Sequence, residues 1–203
     1  DVFRRQGLQL GTGVKVAGSQ KIHTTGSLQE TSQPLDLAIN GRGFFQIGMP
    51  DGTVGYTRDG TFHMDSEGQV VNAVGYLLEP NITIPDQTNT LTISRDGIVS
   101  VTQFGETEPT EIGQIDVVDF VNPTGLQAMG GNLFIETASS GAPQVGVASE
   151  AGFGSIEQGM LENSNVAVVE ELVQMITVQR AYEMNSKVVS SADQMLQYLA
   201  QNT

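Results

Sequence analysis

Two histidines, no cysteine and a large excess of carboxylates bound the chemistry open to this chain. His23 sits in Lys21-Ile22-His23-Thr24-Thr25 and His63 in Thr61-Phe62-His63-Met64. Each is flanked by strand-forming residues, so each reads as a strand or surface histidine rather than a general base. No Gly-x-Ser-x-Gly elbow supports a serine nucleophile. The lack of cysteine removes thiol nucleophiles, disulfides and thiolate zinc sites. The pairs Asp51-Gly52, Asp59-Gly60, Glu67-Gly68 and Asp96-Gly97 offer oxygen ligands of the kind calcium takes, but neither EF-hand spacing nor a Gly-rich nonapeptide repeat accompanies them. Asp51, Asp59 and Asp96 are therefore expected to be turn residues. Gly41-Arg42-Gly43 looks like a fragment of a phosphate loop, yet strand-like Phe44-Phe45-Gln46-Ile47 follows where a helix N-terminus would be needed. The residues point to no catalytic group, no metal site and no cofactor.

Charge narrows the partners. The 203 residues carry 9 Lys plus Arg against 23 Asp plus Glu, a formal charge of −14, with no basic run. Such a chain has no charged patch for nucleic acid or an anionic membrane. No apolar run approaches the roughly 20 residues of a membrane span, so membrane insertion is not expected. No Lys/Arg-flanked apolar segment resembles a secretory signal peptide.

The elements that would position any site divide sharply. All 24 Gly and all 7 Pro precede Met160, at about one residue in five, and none follows it. The first stretch reads as β-structure. Strand-type segments fall at residues 35–39, 44–47, 70–71, 76–78, 91–93, 98–101, 112–120 and 133–135. The acid–Gly pairs supply the positive φ that hairpin turns demand, most clearly at Asp96-Gly97. With no helices between strands, the expectation is an irregular antiparallel β-domain.

The second stretch reads as one long α-helix over residues 166–201. Asn163-Ser164-Asn165 offers N-cap oxygens, Glu170 and Glu171 suit the helix dipole, and Glu183 precedes Lys187 by four. One path of residues runs Val166, Val169, Val173, Ile176, Arg180, Met184, Val188, Ala192, Met195, Leu199, at about 3.67 residues per step. A second follows Val168, Leu172, Met175, Tyr182, Val189 and Leu196. The helix either folds back over the β-domain or awaits helices from other molecules. Two apolar stripes favour the second arrangement, because a small β-domain cannot cover both. Arg180 interrupts its path and either meets a carboxylate on a partner helix, fixing register, or lies exposed beside Glu183. The expected division is an N-terminal linker over 1–13, a β-rich outer domain over 14–160 and a helical segment over 161–203.

The helical segment also carries a resemblance. Leu161-Glu162-Asn163-Ser164-Asn165-Val166 leads to Val169-Glu170-Glu171-Leu172-Val173-Gln174-Met175-Ile176. Gln179-Arg180-Ala181-Tyr182-Glu183-Met184-Asn185-Ser186-Lys187 and Asp193-Gln194-Met195-Leu196 follow. This order resembles the terminal signature of the bacterial flagellar basal-body rod and hook family, most of all its distal rod branch. Asp36-Leu37-Ala38-Ile39-Asn40-Gly41-Arg42-Gly43-Phe44-Phe45 and Tyr56-Thr57-Arg58-Asp59-Gly60-Thr61-Phe62 are similar to two further family motifs, and Gly7-Leu8-Gln9-Leu10-Gly11 to the point where the family's chain enters its β-domain.

The resemblance implies a structural subunit, not an enzyme. It would be exported by the flagellar type III apparatus without a cleaved signal and be built into the periplasm-spanning rod of the basal body. It implies a self-assembling helical tube that carries torque from motor to hook, with terminal helices paired in coiled-coil fashion along the inner tube. The N-terminal partner helix is expected to lie outside this chain. Implied partners are further copies of the chain, proximal rod proteins, the hook protein and ring bushing proteins. The assembly interface is expected at Val169, Val173, Ile176, Met184, Val188 and Met195, with Arg180, Glu183 and Asn185 setting register. A proximal rod or hook relative would share these motifs. An extracellular carbohydrate-active or adhesive β-protein would share the short strands and turn glycines but has no need of a long two-striped helix.

Overall fold

A computed structural model describes residues 21–105 and 108–201, with the side chains of Leu196, Leu199, Ala200 and Gln201 excepted. The expected linker over 1–13, including Gly7-Leu8-Gln9-Leu10-Gly11, lies outside the described residues. Short strands dominate up to residue 162. They are β1 (Leu28–Glu30), β2 (Leu37–Asn40), β3 (Phe45–Gly48), β4 (Val54–Thr57), β5 (Phe62–Met64), β6 (Val70–Asn72), β7 (Leu77–Glu79) and β8 (Thr88–Ile93). There follow β9 (Ile98–Gln103), β10 (Thr110–Gln114), β11 (Asp116–Asp119), β12 (Gln127–Gly130), β13 (Leu133–Ile135), β14 (Gln144–Val147), β15 (Ser155–Gln158) and β16 (Met160–Glu162). One α-helix, α1 (Val168–Gln201), ends the described chain. The fold is mainly β with antiparallel pairing throughout, followed by a single long helix, as the composition implied.

Seven strands form the largest sheet, in the order β12-β13-β4-β3-β7-β6-β5. A three-stranded sheet, β10-β9-β8, packs against it, and three two-stranded ribbons (β1-β16, β11-β14, β15-β2) complete the domain. The main core lies between these layers, where Phe45, Ile47, Phe62 and Leu78 meet Ile93, Val99, Val101 and Ile115. Phe45 and Phe62 meet edge to face, ring centroids 5.3 Å apart. A second, aromatic cluster gathers Phe44, Tyr56, Val118 and Phe120. Gln158 staples separate pieces together: its Oε1 accepts from the Ile93 N–H at 3.0 Å, and its Nε2 donates to the carbonyls of Pro34 at 2.9 Å and Leu91 at 3.0 Å.

Three acid–Gly pairs turn hairpins as expected. Gly52, Gly68 and Gly97 all have positive φ and lie between β3 and β4, β5 and β6, and β8 and β9. Asp59-Gly60 does not. β4 pairs with β3 and β13 while β5 pairs with β6, so the segment crosses between partners, and the Gly60 carbonyl accepts from the Leu37 N–H instead. The run over 112–120, expected as one strand, is two. Ile115 breaks it by donating its N–H to the Gly97 carbonyl, and the halves join different sheets. The sheet structure also continues through Glu162, two residues past the expected end of the β-domain at 160.

The helix begins at Val168 rather than 166, with its first backbone bond from Glu171 N–H to the Ala167 carbonyl. The expected cap at Asn163-Ser164-Asn165 does not form on it. Ser164 Oγ accepts from the Val166 N–H, and Asn165 turns its amide back toward residues 22–24. Glu170 and Glu171 lie in the first turn as anticipated. At 34 residues, α1 is about 51 Å long.

Candidate functional site

The expected interface residues all lie on one solvent-exposed element. Every described side chain of α1 is exposed, and its large apolar residues range from 49% at Ile176 to 76% at Tyr182. Val169, Val173, Met184, Val188 and Met195 fall within that range, with Arg180, Glu183 and Asn185 exposed among them. The helix does not fold its stripes onto the β-domain. Fully burying one such side chain stabilises by about 1.5–3 kcal/mol, so a contiguous set left in water is a strong drive toward another surface. Arg180 forms no ion pair among the described residues, Glu183 included; the three pairs present are Arg42–Asp119, Arg58–Glu162 and Arg95–Glu157.

The root of the helix is built by the second family-like motif. β4 ends at Thr57, which aims Arg58 into the gap between β2 and β16. Its Nη2 donates to the Ile39 carbonyl, its Nη1 to the carbonyls of Gly41 and Gly43, all at 3.0 Å, and its Nε to Glu162 Oε2 at 2.9 Å. The other oxygen of Glu162 accepts from the Gly26 N–H at 2.8 Å. Asp59, expected as a turn residue, lies instead in the segment that crosses from β4 to β5, where it accepts from the Thr61 backbone and hydroxyl and from Asn132. Burial pushes its pKa up, but those hydrogen bonds outweigh burial and hold the carboxyl below its ordinary value. Asp51 likewise accepts from the Thr53 N–H and hydroxyl.

His63 behaves as its flanking residues suggested, whereas His23 lies in no strand and is only partly exposed. His63 is exposed on β5. His23 is half-buried, its ring edge-on to Phe44 at 5.8 Å and Phe134 at 5.4 Å. Burial, then the charges of Lys21 and Arg58, hold its pKa below the ordinary value. A shallow cleft beside it is lined by Arg42, Arg58 and Asp119, but Arg42 is paired with Asp119 at 2.8 Å and Arg58 commits four of its five N–H donors. The cleft has no unengaged guanidinium to offer an anion. Gly41-Arg42-Gly43 thus serves as a carbonyl cradle for Arg58, not as a phosphate loop.

Two family models match this chain. The flagellar hook protein FlgE/F/G D1 domain covers residues 38–101, which hold the cradle and Arg58, and the flagellar basal body rod FlgEFG protein C-terminal covers residues 157–202, which hold Glu162 and α1. The flagellar basal-body rod protein FlgG of Buchnera aphidicola (strain APS) is 49% identical over 96% of this chain and 75% of its own length. The FlgG of Borreliella burgdorferi is 48% identical over 97% of this chain and 75% of its own. The chain belongs to the flagellar basal-body rod protein family. Within this rod family it sides with the distal rod protein: the FlgG of Bacillus subtilis is 39% identical, whereas the hook-basal body complex protein FlhP of the same organism is 30% identical.

Reasoning from residues alone missed the root. Arg58 and Glu162 were visible only as members of motifs, because nothing in a sequence shows that positions 104 apart share a hydrogen bond. The available signal was an arginine embedded in Thr57-Arg58-Asp59-Gly60 within a chain poor in cations.

Proposed function

We propose that this structural rod subunit self-associates through α1 into a helical tube that carries torque from motor to hook. The exposure of both apolar stripes of a 34-residue helix supports this reading. Val169, Val173, Ile176, Met184, Val188 and Met195 pack against neighbouring helices, while Arg180, Glu183 and Asn185 set their register. The neighbours are further copies, proximal rod proteins and the hook protein, with ring bushing proteins outside. The subunit is exported without a cleaved signal and lies in the periplasmic span of the basal body. It performs no catalysis; its work is mechanical. Replacing Val173 and Ile176 together by Ala in the complete protein removes about 2–4 kcal/mol of packing per subunit. Basal bodies purified from such cells are expected to lack a complete rod while the β-domain keeps its melting temperature. Full-length rods built from the double variant would overturn the assignment of the interface to α1.

A further inference from the structure

Between β16 and α1 lie residues 163–167, five residues with no regular structure. A linker of that kind is ordinarily a hinge, yet here its near end is tied on three sides. Arg58 holds Glu162 while bonding the Ile39, Gly41 and Gly43 carbonyls of the core motif. Glu162 holds the Gly26 N–H, and the Asn163 N–H donates to the Ser27 carbonyl at 2.9 Å. Asn165 Nδ2 then reaches the carbonyls of Ile22 and Thr24 and the Thr24 hydroxyl, at 2.9–3.2 Å. Gly26 is required for this approach, since a Cβ there would overlap the Asn163 carbonyl oxygen.

The chemistry of the central pair suits a joint. The side chains of Arg58 and Glu162 are 17% and 11% exposed, so salt screens their attraction little. A guanidinium is a planar fork whose donors have fixed directions, and here it spends them on four acceptors from two separate segments. Such a shielded ion pair contributes positional specificity more than net stability. We propose that Arg58, Glu162 and Asn165 form a rigid joint that fixes the root of α1 to the β-domain, so that torque on the helix reaches the domain instead of dissipating in the linker. The torque clause rests on the rod reading above; the rigidity does not.

The test uses the whole 203-residue chain, which has no cysteine to interfere with labelling. Spin labels go on Ser66→Cys and Gln179→Cys, both exposed, and pulsed dipolar spectroscopy reads the distance distribution between domain and helix. Glu162→Gln places an NH2 against either the guanidinium or the Gly26 N–H, breaking one tie at constant shape. Arg58→Lys keeps the charge and loses the fork. Asn165→Ala frees the linker without touching a core group, and so serves even if either of the others unfolds. The expected result is a distribution about twofold broader in each folded variant, with the β-domain of Asn165→Ala melting within about 3 °C of the parent. Widths equal to the parent's in Asn165→Ala and in whichever of the other two folds would overturn the joint, because a merely stabilising contact moves the melting temperature and not the width. Because the labels report on the subunit in solution, that failure leaves the rod reading intact. A chain that never enters basal bodies would sink the rod reading whatever the widths.

Discussion

At the scale of single residues, His23 gives the molecule a pH dependence with a definite sign. Burial against Phe44 and Phe134, helped by Lys21 and Arg58, lowers its pKa from 6.5. The undocked histidine takes up a proton as the pH falls through 6.5 while the packed one resists, so the undocked state binds more protons below that value. Docking of residues 21–25 is therefore at full strength above the ordinary histidine pKa and weakens on acidification. Hydrogen exchange in that segment, corrected for intrinsic rates, is expected to show less protection at about pH 5 than at about pH 7.5. His23→Phe should abolish the difference; a difference that persists would assign it to another group. Gln158 offers a second check. Gln158→Leu leaves the Ile93 N–H and the Leu91 carbonyl without this partner and should destabilise the β-domain by about 2 kcal/mol in chemical denaturation.

At the scale of elements, the hairpin between β8 and β9 shows what turn chemistry alone specifies. Gly97 has φ +85°, and a Cβ there would also strike the Ile115 carbonyl oxygen. Gly97→Ala combines both penalties and is expected to cost about 2 kcal/mol, readable as a fall in melting temperature. That turn was legible because Asp-Gly demands it locally, and α1 was legible because nothing after Gly159 breaks a helix. The break at Ile115 was not, since it depends on a bond to Gly97 from a different hairpin. Likewise Asp59-Gly60 has the composition of a hairpin turn but is captured by Leu37 and Thr61. Strands such as β12, β14 and β15 are not legible because each is four residues long with at most two apolar side chains, and the pairing of β14 and β15 is decided by neighbours distant in sequence. The apolar residues of the proposed interface stand out by their period in the sequence, whereas the joint at Arg58 and Glu162 needed the fold to bring two motifs together.

At the scale of the whole molecule, two parts with opposite solvent habits are joined. The β-domain satisfies its own core, and no buried side-chain polar atom among the described residues lacks a partner. The helix pairs its own backbone but buries none of its described side chains: its apolar residues stand in water along about 51 Å. A net charge of −14 opposes non-specific association between such subunits. On the proposed reading, other rod subunits cover the helix. The most direct measurement is photo-crosslinking in cells, with a benzophenone amino acid placed at Ile176 on the stripe or at Ser66 on the β-domain. If α1 is the assembly element, irradiation links position 176 to further copies of the chain or to neighbouring rod proteins, and the ladder disappears in the Val173→Ala background. Basal bodies that contain the chain yet yield only links within one molecule from position 176 would show that α1 is not the contact between subunits.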